Sequence, residues 1–232
     1  MTTIFKNDNL ELINTDNANK YIIQFRVNTD QNAALIRSLV RTRIIQGATV
    51  TRDYLTVKFQ AHSVETFFSN NKIQKIKIPE AANILQTLSN QLNYLLQYES
   101  KTIIGYAPNQ IILINGETPA FLGSQLIADL DSEGNESNLA TICCLFNTKE
   151  FFAAPELLKI NRLPAKVHYK SSYYSLASLI IYLLIYNQDN PHTFDNNPLS
   201  YLDKHPIKNT KLYWLLSRCL EEDPNKRSII FI

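Results

Sequence analysis

Between Ile4 and Phe59 apolar and polar positions alternate in short pieces: Leu10-Glu11-Leu12-Ile13, Tyr21-Ile22-Ile23-Gln24-Phe25-Arg26-Val27 and Tyr54-Leu55-Thr56-Val57-Lys58-Phe59. A period of two puts every second side chain on one face of a pleated strand, so these pieces predict strands with one buried side. One helix interrupts them. Ala33, Ala34, Leu35, Ile36, Leu39, Val40 and Ile44 recur at helical spacing, with Asp30 as the expected N-cap and Gly47 as the stop. From Pro79 the period changes. Ile84, Leu85, Leu88, Leu92, Leu95 and Leu96 form a long helical stripe, and Pro79 falls where a first turn tolerates a missing N–H. Two further helices are predicted. One, Ser172 to Tyr186, is apolar almost all round and therefore central; the other, Thr210 to Glu222, gathers Leu212, Leu215, Leu216, Cys219 and Leu220 on one face. Ile111 to Ile114 running into Asn115-Gly116 predicts a strand and a hairpin turn. The expected fold class is α+β: a reduced β-rich part over residues 1–62, a hinge near residues 60–72, and a mainly helical part over residues 63–232.

Composition narrows the function classes. A chain of 232 residues that is 45% apolar can bury one sizeable core or two small lobes sharing an interface. Its formal net charge is +2, with no Lys/Arg block and no basic-aromatic interleaving, so the electrostatic footprint of a nucleic-acid binder is missing. The most apolar run, Tyr173 to Tyr186, is too short for a hydrocarbon layer of about 30 Å, and the N-terminus lacks a secretory pattern. A soluble protein with neither membrane nor nucleic acid as partner is expected. Cys143, Cys144 and Cys219 are odd in number, and the adjacent pair suits neither a disulfide nor a zinc site. That usage fits a reducing, intracellular compartment such as the cytoplasm. Cys143-Cys144 beside Leu145-Phe146 reads as buried apolar packing, Lys149 being the nearest cation.

Three segments in order carry a resemblance. Ala154-Pro155-Glu156 looks like the segment that closes the activation region of protein kinases, and Ser172-Tyr173-Tyr174-Ser175-Leu176-Ala177 is similar to that family's Asp-x-Trp-Ser-Leu-Gly. Cys219-Leu220-Glu221-Glu222-Asp223-Pro224-Asn225-Lys226-Arg227 resembles its Cys-Leu-x-x-Asp-Pro-x-x-Arg. The resemblance covers residues from about 20 to 232, strongest from 150 onward, and implies a two-lobed protein-kinase-like fold. It also implies a structural ion pair between Glu156 and Arg227, a role that suits Arg because its fork meets a carboxylate at two points.

The same alignment locates losses. Tyr106-Ala107-Pro108-Asn109-Gln110-Ile111 follows the catalytic-loop frame, so the His-Arg-Asp triplet falls on Ile103-Ile104-Gly105 and the catalytic base on Gly105, which has no side chain to accept a proton. The metal-holding Asn falls on Gln110. The Asp-Phe-Gly triplet falls near Phe121-Leu122-Gly123, and no register from Thr118 to Leu126 supplies an Asp. Residues 1–46 contain no glycine with which to cradle phosphates, and Asp30 to Gln46 contains no Glu to pair the strand Lys, whose position falls near Gln24, Phe25 or Arg26. The start of the chain looks too short for a full five-stranded lobe.

The reading that follows is a catalytically inactive kinase-like protein, a pseudokinase, acting as a protein-interaction or scaffold module, with no cofactor and no metal expected. Two alternatives stay open. In one, an atypical kinase binds ATP and Mg²⁺ through Arg26 or Lys20 with Gln110 and Asp129 or Asp131; in the other, a C-lobe-like domain binds peptides and the first part is decoration. Asp129 and Asp131 otherwise read as solvated loop charges, and Ser171, Ser172 and Thr148 as turn or cap residues. Arg37, Arg41 and Arg43 read as a solvated helix face, and His62, His168, His192 and His205 lack metal spacing.

Overall fold

In the computed structural model the described residues are 1–15, 17, 19–66, 76–131, 138–144, 146–148, 150–185 and 197–229. Alternating burial drives the first sheet: along β3 (Lys20–Phe25) Tyr21, Ile23 and Phe25 point inward while Lys20 and Gln24 are exposed. This strand pairs antiparallel with β2 (Leu10–Asn14), β2 with β1 (Thr2–Lys6), β3 with β5 (Thr56–Gln60), and β5 with β4 (Thr49–Val50). The order β1-β2-β3-β5-β4 gives five strands where a shorter lobe was expected. Tight turns and a two-residue β4 make room for them.

Helix α1 (Asp30–Arg41) places Ala34, Leu35, Ile36 and Leu39 in one core with the sheet's buried side chains. Its N-cap is Thr29, not Asp30: the Thr29 side chain accepts from the Asn32 N–H, and Asp30 is the first helical residue. The helix ends at Arg41, before Gly47, with the Thr42 N–H closing onto Ser38 and Val40 carbonyls. The long stripe forms α2 (Ile78–Tyr98), whose Ala81, Ile84, Leu85, Leu88, Leu92 and Leu95 are buried. The apolar run forms α4 (Ser171–Ile185), buried on nearly every side as its composition requires, and α6 (Lys211–Cys219) packs on it. Two short helices, α3 (Pro155–Leu158) and α5 (Pro198–Leu202), each begin at a proline.

The second part also holds more strand than periodicity indicates. β6 (Val64–Thr66), β8 (Ile111–Ile114) and β9 (Thr118–Phe121) form one sheet, and the hairpin turns at Asn115 (φ 56°) and Gly116 (φ 71°) as the Asn-Gly signal predicts. β7 (Lys101–Ile103) pairs with β10 (Ile127–Asp129), and β11 (Leu139–Ile142) with β12 (Ala165–His168). These pieces are three or four residues long, too short to show a period. One hydrophobic core runs from Phe5 and Leu10 in the first sheet through α1 and α2 to α4 and α6. The molecule is mixed α+β, built from small antiparallel sheets and helices. Of the expected hinge at residues 60–72, residues 60–66 are described and include β6, and residues 67–72 lie outside the described residues.

Candidate functional site

Arg227 follows a 3-10 turn, Pro224–Lys226, that Asp223 caps by accepting from the Asn225 N–H. The turn delivers its guanidinium to Glu156 at the start of α3. Arg227 Nη1 donates to Glu156 Oε1 at 2.5 Å and Nη2 to Oε2 at 2.8 Å. Nε donates to the Glu221 carbonyl at 2.7 Å, and the remaining N–H groups reach the Lys170 and Glu222 carbonyls at 3.3 and 3.1 Å. Arg227 is fully buried, and its guanidinium lies 5.1 Å from the Tyr174 ring centre. All five donors are used, which is what keeps a buried charge tolerable.

Around residues 103–110 the chain is packed with aromatic carbon. A Cβ placed on Gly105 would meet Phe151 Cδ2 at 2.0 Å, so the Phe151 ring fills the space beside the position that the resemblance assigns to the catalytic base. Tyr106 packs edge-on against Phe121 with ring centres 5.1 Å apart. Its backbone carbonyl accepts from the Phe152 N–H at 3.0 Å, and its backbone N–H donates to Ser175 Oγ at 2.6 Å. The hydroxyl of Tyr106 is buried with no partner among the described residues, and burial pushes its ionisation well above that of an ordinary phenol. Ser172 donates to the Tyr169 carbonyl at 2.8 Å. The α4 serine that meets this loop is Ser175, one helical turn further along. The pattern contained Ser175, but nothing in it marked which serine faces the loop.

Gln110, the position aligned with a metal-holding Asn, is also occupied. Asn7 Nδ2 donates to Gln110 Oε1 at 3.0 Å, while Asn7 Oδ1 accepts from the N–H groups of Asn9 and Leu10. The turn between β1 and β2 is thus pinned to the loop by one amide. This contact of Asn7 is one that sequence reasoning missed, since a turn Asn ordinarily serves only its own backbone.

Of the other candidates, Arg26 and Asp129 line one groove, whereas Lys20 does not. Arg26 is exposed just after β3, bonded by its N–H to the Asn9 carbonyl, and Lys20 is exposed at the opposite end of that strand. Phe25, one of the positions aligned with the strand Lys, is buried. Asp131 accepts from Thr141 Oγ1 at 2.7 Å and faces Lys166 Nζ at 3.3 Å, so it is not a solvated loop charge. Asp129 is exposed, as expected, and it also receives the buried Lys101 ammonium together with Asp30, the latter at 2.6 Å. Burial works against the Lys101 charge, but its hydrogen bonds to Asp129 and Asp30 outweigh that and hold its pKa above the usual lysine value. The Lys101 hydrogen bond holds the Asp30 carboxyl below its ordinary range.

Arg37 likewise departs from the expected solvated face. It forms a fork with Glu99 at the end of α2, 2.7 and 2.6 Å, which raises its pKa further. Deeper in, Gln91 pairs with both backbone groups of Phe121 at 3.1 Å and donates to Ser38 Oγ on α1. Together these contacts fix α1 to the second part of the molecule.

An open groove of about 420 Å³ lies at the start of α1, between the β1–β2 turn and the segment from Ser124 to Phe146. Cys143 and Cys144 line it and are exposed, not buried as their apolar neighbours suggested, because they sit just past the end of β11. Cys219 is buried, and desolvation pushes its thiol up to about 12. His168 and His205 each accept a local backbone N–H through Nδ1; His192 and Lys149 lie outside the described residues. Among the described residues no helix is long and apolar enough to cross a membrane. The chain matches no model of a known protein family and no curated protein.

Proposed function

We propose that this chain is a two-lobed, protein-kinase-like module that has lost phosphoryl transfer and works by binding other proteins. The observation that carries the reading is the Phe151 ring packed into the space beside Gly105. Where a catalytic carboxylate would need room and polar surroundings, the chain supplies glycine covered by an aromatic ring. Asn7 supports it, because an amide that ties the first turn to Gln110 takes up the carbonyl which a metal ion would have needed. The five-stranded order β1-β2-β3-β5-β4 followed by α2, α4 and α6 supports a first lobe that is a structural part and not a decoration. The Glu156–Arg227 fork supports retention of the scaffold that the resemblance implies.

The rival reading, an atypical ATP-binding kinase, needs Arg26 or Lys20, Gln110 and Asp129 or Asp131 around one nucleotide. Asp129 is engaged with Lys101, Asp131 with Lys166 and Gln110 with Asn7. Thermal denaturation with and without millimolar ATP, each with Mg²⁺ or Mn²⁺, separates the two, since a ligand that binds only the folded state raises its melting temperature by mass action. The module reading expects no shift. A metal-dependent rise, or phosphate transfer by the unaltered protein, would sink it.

A further inference from the structure

Basic residues form no run in the sequence, yet one stretch concentrates them. Residues 203–218 hold Lys204, Lys208, Lys211 and Arg218 against one acid, Asp203, so this stretch carries +3 where the whole chain carries +2. Asp203 is taken up by the Tyr213 hydroxyl, which donates to it at 2.6 Å. Glu221 and Glu222 come only after α6 has ended at Cys219. All four cations are exposed, and none of them pairs with a carboxylate among the described residues.

Helix α6 arranges two of these cations around an aromatic ring. Its Tyr213, Leu216 and Cys219 are buried, and a period of 3.6 places Lys211, Trp214 and Arg218 together on the other side. Spacings of three and four residues bring both cations beside the indole. Trp214, the one tryptophan of the chain, is 54% exposed, so most of a large apolar ring faces water with charge on either side. The ring is not loose. Tyr213 meets it edge-on with ring centres 5.0 Å apart, and the Trp214 backbone N–H is tied to the Thr210 carbonyl at 3.2 Å. An anchor already held in position loses little freedom when a partner covers it.

The patch calls for an anionic partner, and its make-up separates the candidates. A helix that binds a bilayer lays its apolar face into the lipid, and α6 already buries that face in the core. Single-stranded nucleic acid is held by successive stacked rings, and the exposed side of α6 offers one. A single ring flanked by cations suits a protein interface, where Trp and Arg carry most of the binding energy. We infer that the exposed side of α6, with Lys204 and Lys208 in the connection leading to it, binds an acidic segment of a partner protein: carboxylates meet Lys211 and Arg218 while an apolar side chain covers Trp214. This names a partner class for the interaction-module reading and rests on that reading for its biological use. A nucleotide-dependent rise in melting temperature would sink the module reading without touching binding at α6, so the two fail separately.

A phage-displayed library of random linear peptides is selected against the whole protein, and the enriched peptides are synthesised with a fluorescent label and titrated by anisotropy. The expected peptides are rich in Asp and Glu around an apolar residue, and on binding they move the emission of Trp214 to shorter wavelength as the indole leaves water. Trp214→Ala weakens them at least tenfold, as truncation of an interface anchor does, and Lys211→Glu weakens them by a similar factor. Lys58→Glu, the same change of charge at an exposed position of β5, leaves them unaffected. These positions are exposed, so the melting temperatures of the variants stay close to the parent's. Salt at about 1 M, which screens charges beyond about 3 Å, weakens the parent's binding. Failure to enrich any peptide overturns the inference. So do enriched peptides without acidic residues, acidic peptides that bind the Trp214 and Lys211 variants as tightly as the parent, and a Trp214 shift given by phosphatidylserine vesicles or oligothymidylate but by none of the peptides.

Discussion

Single residues here settle questions that patterns leave open. Gly105 is the clearest: its missing side chain reads as a loss in the sequence, and the Phe151 ring makes it a steric requirement. Gly105→Asp is expected to produce no phosphoryl transfer and to destabilise the fold by about 1–3 kcal/mol, the usual penalty of overpacking, as read from a urea denaturation midpoint. An unchanged midpoint would mean that the ring moves aside at no cost. Arg227 makes the opposite case. Removing its partner by Glu156→Ala leaves a buried guanidinium without its carboxylate, and the expected loss is about 3–5 kcal/mol. A loss under 1 kcal/mol in the same denaturation experiment would contradict the assignment of this pair as a main structural tie.

Elements are held together by polar contacts that no periodicity announces. The helices α2 and α4 were legible because their apolar residues repeat over many turns; β6, β7, β10, β11 and β12 were not, because three or four residues cannot display a period. The Glu156–Arg227 pair could be anticipated from motif order. The Asn7–Gln110 and Ser175–Tyr106 contacts could not, since each joins segments far apart in sequence through side chains that look ordinary. Gln91 shows the energetic weight of such contacts. Gln91→Leu would strand the Phe121 N–H and C=O in the core, for an expected cost of about 2–4 kcal/mol, checked by denaturation and by loss of amide protection in β9.

The Asp30–Lys101–Asp129 cluster adds a pH dependence with a definite sign. Asp30 has a folded pKa below its unfolded value of about 3.9, so its contribution is complete above that pH and disappears as the pH falls through the lower folded value. Lys101 is raised, so its contribution is complete below about 10.4 and is lost only as the pH rises past its folded value. Asp30→Asn should therefore lower stability at neutral pH and flatten the acid limb below about pH 4. An acid limb as steep as the parent's, measured as urea midpoint against pH, would remove this pair from the account.

For the whole molecule, one core and a set of cross-ties predict joint behaviour. Hydrophobic packing is continuous from β1 and β2 to α6, and Lys101, Arg37 and Gln91 fasten α1 to the segments beneath it. Unfolding is expected as one transition, with the fluorescence of Trp214 on α6 and the far-ultraviolet circular dichroism of the whole chain coinciding in denaturant. Two separated transitions would mean that the first sheet melts independently.

The ring against Gly105 also bears on descent. A carboxylate at position 105 needs two changes, an acid at 105 and a smaller residue at 151, and neither alone is useful. The acid alone collides with Phe151; the smaller residue alone opens a hole against the core that Phe151 helps to fill. Each single step passes through a less stable protein that has gained no chemistry. On the proposed kinase-like reading, a lineage that has crossed to this arrangement is held there by packing, and drift is far more free to remodel its surface than to return it to catalysis.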